Sequence, residues 1–172
     1  MSLHRFAKQK DLAAIVGIYN STIASRQVTA DLEEISVESR QSWFLEHTPT
    51  RRPLWVIEID QEQGKQIVGW KSFSDFKKRA AYDGTVEVSI YLDPEARGKG
   101  WGSYCLKLAE SYAPQIGVHT LLGYIFGHNT PSLRLFEKFQ FQQWAVMPNI
   151  AVLDGIERDL IIVGKRLEAK SH

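Results

Sequence analysis

Apolar residues recur along the chain with two different periods, which together predict alternating strands and helices. Apolar runs and strict alternation predict strands at residues 3–7, 54–59, 67–73, 85–92, 120–126, 141–146 and 159–164. Helical spacing predicts a helix that begins after Asp11 and further helices at residues 36–46, 101–112 and 131–139, with Asp11 and Thr130 as N-caps. Residues 60–65 have turn composition, so the second and third strands are expected to form a hairpin. This order predicts a mixed α/β sheet covered by helices.

The strand at residues 85–92 has two chemically different faces. Its residues alternate strictly between an apolar set, Val86, Val88, Ile90 and Leu92, and a more polar set, Glu87, Ser89 and Tyr91. Because successive side chains of a strand point to opposite sides, one face is expected to pack in the core and the other to carry polar groups.

A glycine-rich segment, residues 97–102, follows this strand and precedes a helix. Three glycines let the backbone curl closely around a ligand, and free N–H groups at a helix start attract anions, as do the cations Arg97 and Lys99. The alternative is a plain tight turn, which the flanking elements and cations disfavour. The P-loop and dinucleotide-binding spacings do not match. The segment therefore predicts a binding site for a phosphate-bearing ligand.

Length and composition favour one domain with a net charge close to zero. The chain has 172 residues without internal repeats or a Gly- or Pro-rich linker, so we expect one domain over residues 1–167 and a short tail at 168–172. Its 21 Lys and Arg nearly balance 20 Asp and Glu, which argues against nucleic acid or an anionic membrane as a partner. No apolar run has the length of a signal peptide or a membrane span.

The only cysteine, Cys105, lies in an apolar stretch. One cysteine excludes an internal disulfide, so a cytoplasmic location is expected. A small buried core residue is the default interpretation of Cys105, ahead of a catalytic nucleophile.

The motif Arg97-x-x-Gly100-x-Gly102 matches the Arg/Gln-x-x-Gly-x-Gly/Ala signature of the GNAT acetyltransferases. The chain resembles this family over nearly its whole length, and within it the phosphinothricin and methionine sulfoximine acetyltransferases, through residues 11–20, 79–91 and 129–137. The resemblance implies a single-domain α/β GNAT fold, with a mixed, mostly antiparallel central sheet that is splayed near its middle and flanked by about four helices. It also implies acetyl-CoA as cosubstrate, no metal, and a homodimer.

Residue by residue, the resemblance implies roles along the chain. Glu87 is implied as the base that accepts the amine proton, directly or through water; without the resemblance it reads as a solvated residue on a polar strand face. The residues implied in cofactor binding are Ser89, Ile90, Tyr91, Leu92, Arg97, Gly98, Lys99, Gly100, Trp101, Gly102, Ser103, Asn129 and Ser132. Those implied in substrate binding are Lys77, Lys78, Arg79 and Tyr82, otherwise an ordinary cationic loop.

Three positions depart from the family pattern. Phe136 occupies the place of a Tyr or His that protonates the leaving thiolate, which leaves water, Tyr91 or Tyr124 as the proton source, or none. Gln140 replaces the glycine of a turn, and residues 154–159 only weakly match a segment that helps to shape the acceptor pocket.

The resulting hypothesis is direct acetyl transfer from acetyl-CoA to the primary amine of a small amino-acid-like substrate. One alternative is a GNAT enzyme acting on a polyamine, an aminoglycoside or a protein N-terminus. Another is a non-catalytic sensor of acyl-CoA, since a cofactor loop alone does not prove catalysis.

Overall fold

Seven strands form one mixed sheet in the computed structural model, which describes residues 3–168. The spatial order is β1-β2-β3-β4-β5-β7-β6, and only β4 and β5 are parallel neighbours. The strands are β1 His4–Phe6, β2 Leu54–Gln61, β3 Gly64–Asp75, β4 Thr85–Leu92, β5 Thr120–Phe126, β6 Gln142–Leu153 and β7 Ile156–Arg166. The helices are α1 Leu12–Ile23, α2 Gln41–Leu45, α3 Trp101–Tyr112 and α4 Thr130–Lys138. The predicted fold class, including the mostly antiparallel splayed sheet and four helices, is confirmed.

Helices cover both faces of the sheet because most central strands are apolar on both sides. One face packs under α3 and α4 through a core that contains Val86, Val88 and Phe136. The other face packs under α1 through a core that includes Ile15 and Trp70. The alternation predicted for β4 is therefore confirmed, with Glu87, Ser89 and Tyr91 on the face toward α1.

Of the two predicted N-caps, Asp11 occupies the N-cap position of α1 without a side-chain capping bond, and Thr130 is corrected. The Asp11 carboxylate accepts from the Lys8 N–H at 2.7 Å and from the Arg5 guanidinium at 2.6 and 3.0 Å, and it makes no capping bond to α1. The N-cap of α4 is Asn129, not Thr130, because the Asn129 side chain accepts from the Ser132 N–H at 3.2 Å. At Asp11, Arg5 and the Lys8 N–H bind the carboxylate that could otherwise cap α1.

The second predicted helix is shorter than residues 36–46. A single 3-10 turn over Glu38–Arg40 precedes α2. The Ser39 hydroxyl donates to the Ser36 carbonyl at 2.7 Å, and the Ser39 N–H donates to the Ser36 hydroxyl at 3.1 Å. Such local bonds compete with the helical hydrogen-bond pattern, which explains the late start of α2.

The last two strands extend well beyond the predicted residues 141–146 and 159–164. Pro148 suggests a break, but β6 is an outer strand with an irregularity between Met147 and Ala151, where a missing N–H is tolerated. The left-handed pair Asp154 and Gly155 closes the hairpin. The second and third strands likewise extend to a two-residue turn, instead of the predicted turn over 60–65.

Gln140 keeps the conformation that a glycine would adopt. Its φ is +63°, and the following residue, Phe141, donates to the Phe136 carbonyl at 3.1 Å. The turn after α4 therefore retains a helix-ending shape despite the missing glycine, at a cost of about 1 kcal/mol for a left-handed non-glycine residue.

The predicted boundary before residue 168 leaves a tail of which all but Glu168 lies outside the described residues. Within residues 3–168, every helix is too short or too polar to cross a membrane.

Candidate active site

A cavity of about 440 Å³, the main cavity, opens where β4 and β5 separate. The two strands pair only at Thr85–Glu87 with Thr120–Leu122 and then diverge. Backbone N–H and C=O groups of the later half of β4 therefore face the gap without a partner strand on that side. Ser89, Ile90, Tyr91 and Leu92 line this gap, as the predicted cofactor-binding segment requires. The splay of the sheet thus creates an edge along which an extended ligand can add hydrogen bonds.

The glycine-rich loop forms one end of the main cavity. Gly98 and Gly100 have φ of +72° and +86°, a left-handed conformation that non-glycine residues adopt only with strain. This conformation turns the chain directly into α3, whose first N–H groups have no partner within the helix. Five of the seven predicted loop residues line the cavity, namely Arg97, Gly98, Gly100, Gly102 and Ser103. The arrangement can hold an anionic ligand.

The other two loop residues point elsewhere. Lys99 is exposed to solvent and does not line the cavity. Trp101 packs edge-on against Tyr104, with ring centroids 5.9 Å apart, beside a small core cluster. The Trp101 side chain therefore supports the start of α3, and only its backbone N–H is placed to meet an anion.

Glu87 is a half-buried carboxyl group at the point where the strands separate. It lines the main cavity, and burial raises the pKa of its carboxyl above the usual value. Among the described residues we find no hydrogen bond to this side chain. A partly desolvated carboxylate without a partner, open to a cavity, has the properties of a general base.

Two predicted cofactor residues lie at the start of α4. Asn129 is buried, and its side chain is already engaged, because it caps α4 and donates to the Gln27 carbonyl at 3.1 Å. Ser132 is partly exposed, and both residues line the main cavity. The Asn129 amide thus ties the chain after α1 to α4 and shapes the cavity wall.

The predicted substrate residues Lys77, Lys78, Arg79 and Tyr82 do not line the main cavity. All four are exposed; Lys78 pairs with Glu46 at 3.0 Å, and the Tyr82 ring packs edge-on against Phe76 at 5.4 Å. Two of them, Lys78 and Arg79, line a separate cavity of about 570 Å³, which we call the outer cavity. The structure therefore brings only part of this set to a shared site.

A third cavity of about 150 Å³ lies on the α1 face of the sheet, and most of its residues were not predicted. We call it the aromatic cavity because Tyr19, Trp43, Trp70 and Tyr91 form its walls. It shares the lining residues Ser89 and Tyr91 with the main cavity, and Trp43 and Ser74 with the outer cavity. The only sequence signal was aromatic residues at helical and strand spacing, which is typical of an ordinary core.

The remaining candidates have clear environments. Cys105 is fully buried, as predicted, and burial raises the pKa of its thiol to about 12. Phe136 lines the main cavity together with Tyr124, a residue whose hydroxyl the sequence offered only as one of several proton sources. Burial and the charge of Glu87 raise the pKa of Tyr124. No cluster of three His, Cys, Asp or Glu with metal-binding geometry occurs within residues 3–168.

This combination of features is typical of an α/β acyltransferase. The sheet is mixed and splayed, a glycine-rich helix start follows β4, and a partly desolvated carboxyl lies at the splay. The chain belongs to the acetyltransferase (GNAT) family, whose model matches residues 16–141, more than half of its length. It is an N-acetyltransferase of that family, as the resemblance implied.

Individual relatives are similar over most of their length. A provisionally named phosphinothricin acetyltransferase, YwnH of Bacillus subtilis (strain 168), is 50% identical over 95% of this chain and 98% of its own. An L-methionine sulfoximine/L-methionine sulfone acetyltransferase of Salmonella typhimurium is 29% identical over 95% and 94%. A phosphinothricin acetyltransferase of Sinorhizobium meliloti, solved with acetyl-CoA, is 28% identical with a TM-score of 0.87 over 95% and 87%.

Proposed function

We propose that this protein transfers the acetyl group of acetyl-CoA to the primary amine of a small amino-acid-like substrate, of the phosphinothricin or methionine sulfoximine type. The observation that carries the proposal is the main cavity itself. It connects an anion-binding helix start, Arg97–Ser103, with the open edge of β4 and with Glu87. The names of the three relatives support the donor and the acceptor class.

The cofactor-binding residues act mainly through their backbone in this proposal. The loop Arg97–Ser103 binds the pyrophosphate, with Lys99 as a nearby exposed charge, while Asn129 and Ser132 line the same cavity. The free edge of Ser89–Leu92 binds the pantetheine arm as a strand would, and one main-chain N–H polarises the thioester carbonyl.

Glu87 accepts the proton of the acceptor's ammonium, directly or through a water, so that the neutral nitrogen can attack the thioester. The acetyl group then passes directly to the amine within a ternary complex, because the only cysteine is buried with a raised pKa and no covalent enzyme intermediate is needed. A stable acetyl-enzyme formed before amine addition would contradict this order.

Replacing Tyr124 by Phe is expected to lower kcat about tenfold at neutral pH. The raised pKa keeps the Tyr124 hydroxyl protonated, so it can donate to the departing thiolate. The effect is smaller than for a typical general acid because a thiol of pKa about 8.5 leaves tolerably as thiolate. Steady-state kinetics measure it, with Tyr112→Phe as the matched control. An unchanged kcat would assign the proton to water.

The cationic loop contributes to acceptor binding at a distance from the reacting atoms. Lys78 and Arg79 line the outer cavity, which shares the lining residues Trp43 and Ser74 with the aromatic cavity, and Lys77 and Tyr82 lie on the same loop. An acceptor carboxylate in the outer cavity would lie close to Arg79, which matches the preference of guanidinium for carboxylate.

A homodimer is part of the proposal. The outer strand β6 leaves apolar side chains exposed, at Trp144, Val146, Met147, Ile150 and Val152. An outer strand with exposed apolar residues is a typical interaction surface. Sedimentation velocity tests it, and a monomer at working concentration would remove it.

We also propose a cytoplasmic location, supported by the single cysteine, and a catalytic domain spanning residues 1–167.

The testing experiment follows thiol release from acetyl-CoA with phosphinothricin, methionine sulfoximine, methionine sulfone, spermidine, an aminoglycoside and a short peptide. Fast release with the first three alone is the expected result. Release with another amine would favour a different acceptor class. Tight acetyl-CoA binding without release from any amine would favour the acyl-CoA sensor.

A further inference from the structure

The aromatic cavity is a small, partly open recess that shares Ser89 and Tyr91 with the main cavity, and the proposed acetyl-CoA contacts give no role to its other lining residues. Trp70 and Tyr91 stack at 4.5 Å, and Trp43 meets Trp70 edge-on at 5.5 Å. Ser89, two positions after Glu87 on the same face of β4, lines both this cavity and the main cavity. A group bound in the aromatic cavity can therefore belong to a molecule whose reacting nitrogen lies near Glu87.

Among the described residues that line this cavity, Arg40 alone carries a charge. Its guanidinium carbon lies 5.0 Å from the Tyr19 ring centroid and 5.7 Å from that of Trp43, so the two rings hold the cation in place. Its side chain is 30% exposed and makes one long hydrogen bond, 3.5 Å to Asp31. Of its five N–H donors, the others have no partner among the described residues, so they are available for a ligand.

Hydroxyl groups line the cavity on the sheet side. Ser72 and Ser74 of β3 and Ser89 of β4 share the face toward α1, and no side-chain hydrogen bond involves their hydroxyls within residues 3–168. The cavity thus combines a cation between two rings, apolar walls and hydroxyl groups. This combination suits a ligand group that carries both a methyl and oxygen atoms.

Volume limits which part of the acceptor enters. A cavity of about 150 Å³ holds a group no larger than benzene, and an amino acid with a side chain is larger than that. With the α-amine at Glu87 and the α-carboxylate directed to Arg79 in the outer cavity, the side-chain end remains for the aromatic cavity. A methylsulfonyl or methylphosphinyl end fits its chemistry, because the methyl packs on the rings and the oxygens accept from Arg40.

We infer that the aromatic cavity binds the side-chain end of the acceptor, and that Arg40 is the residue that selects an oxygen-bearing end over a plain thioether. This inference rests on the proposed function. The relevant pair of substrates is L-methionine sulfone and L-methionine, which share the amine, the carboxylate and the methyl and differ only in the two sulfur-bound oxygens.

The experiment measures kcat/KM for both substrates in the wild-type protein and in Arg40→Met. We expect the kcat/KM for methionine sulfone, divided by the kcat/KM for methionine, to fall about 10- to 100-fold in the variant, which corresponds to the loss of one charged hydrogen bond. The kcat/KM for methionine should change little. Arg40→Lys should fall between, because Lys keeps the charge but loses the planar fork. Arg166→Met, the same exchange at an exposed position of β7, should leave the ratio unchanged.

The outcomes separate the two levels of the proposal. No turnover of either amino acid by the wild-type protein overturns the proposed function, and this inference with it. Turnover with the same substrate ratio in wild-type and Arg40→Met overturns only the role of Arg40. If the Met variant does not fold, Arg40→Lys decides: an unchanged ratio there contradicts the inference.

Binding without turnover provides an independent test. With free CoA present, methionine sulfone should change the tryptophan fluorescence of the wild-type protein, because Trp43 and Trp70 line the cavity. Trp43→Phe should reduce this change, because only Trp70 then remains in the cavity wall, while Trp144→Phe should retain it in full. A signal that persists in full in Trp43→Phe would place the ligand outside the aromatic cavity.

Discussion

Glu87→Gln is expected to lower kcat for acetyl transfer by about 10²- to 10⁴-fold while the affinity for acetyl-CoA stays within about twofold, since the amide keeps the shape of the carboxyl but cannot accept a proton. Glu87 lies where β4 leaves β5, on the strand face opposite Val86 and Val88. The loop that is proposed to hold the pyrophosphate lies at the other end of the cavity and is untouched by this change.

The pH dependence supplies a second readout for Glu87. Burial raises the pKa of its carboxyl, so the basic form is reached at a higher pH than for an exposed carboxyl. In the wild-type protein, kcat should rise with pH through that pKa, because the protonated acid cannot accept the ammonium proton. In Glu87→Gln this rise should vanish and leave only the ionisation of the amine itself.

Thiol-release kinetics and titration calorimetry with acetyl-CoA measure both quantities. Glu137→Gln, the same exchange at an exposed position of α4, is the matched control and should change neither. Full kcat in Glu87→Gln would assign deprotonation to solvent. Loss of acetyl-CoA affinity in step with kcat would instead indicate a disturbed cavity.

Lys71→Met is expected to stabilise the protein by about 1–4 kcal/mol at neutral pH, by analogy with the gain found when buried ion pairs are replaced by apolar residues of similar volume. Lys71 is a fully buried residue of β3, and its ammonium nitrogen has no hydrogen-bond partner within the part of the chain that the structure describes. Burial lowers the pKa of Lys71 well below its usual value. The folded protein therefore holds this side chain either neutral, or charged at a substantial cost in folding free energy.

Two effects oppose each other at Lys71. Its nitrogen lies 3.5 Å from the Trp55 ring centroid and 4.4 Å from that of Phe73, which favours the charged form. Desolvation costs several kcal/mol per ion, and three N–H donors have no acceptor. Cation–π attraction contributes about 2 kcal/mol when the cation is desolvated, which is less than the desolvation cost. The neutral form of Lys71 is therefore favoured. A destabilised Lys71→Met protein would show instead that the rings hold an ammonium.

The sign of the pH effect follows from the lowered pKa. Between the pKa of the folded state and about 10.5, the unfolded chain binds one more proton at Lys71 than the folded protein does. The free energy of unfolding should therefore rise with pH in that window, and the contribution of neutral Lys71 is lost as the pH falls toward the folded pKa. Lys71→Met should remove this slope.

Urea unfolding at several pH values between 6 and 10 measures the slope and the offset. Lys107→Met is the matched control, because Lys107 is exposed on α3 and its exchange should change stability by less than about 0.5 kcal/mol. Equal slopes in wild-type and Lys71→Met would show that Lys71 stays protonated when the protein is folded.

Much of the fold could be read from local patterns. The bounds of β4, α3 and β5 agree with those predicted, because strict alternation and helical spacing report burial directly. The glycine-rich loop was also visible, because left-handed Gly98 and Gly100 need a residue type that carries its own signal. The start of α1 after Asp11 was predicted correctly, although its carboxylate binds Arg5 instead of capping the helix. The start of α2 was predicted too early, because Ser36 and Ser39 bond to each other's backbone.

The candidate site divides in the same way. The sequence by itself determined the glycine-rich helix start that is proposed to bind an anion, the polar face with Glu87 and the buried state of Cys105, because each depends on neighbours along the chain. Only the tertiary structure decided that Arg40 and Trp43 lie beside Ser89, that Lys78 and Arg79 face a separate cavity, and that Lys71 is buried. Those facts depend on how α1, α2 and α3 cover the sheet, and contacts between elements distant in the chain leave no period in the sequence.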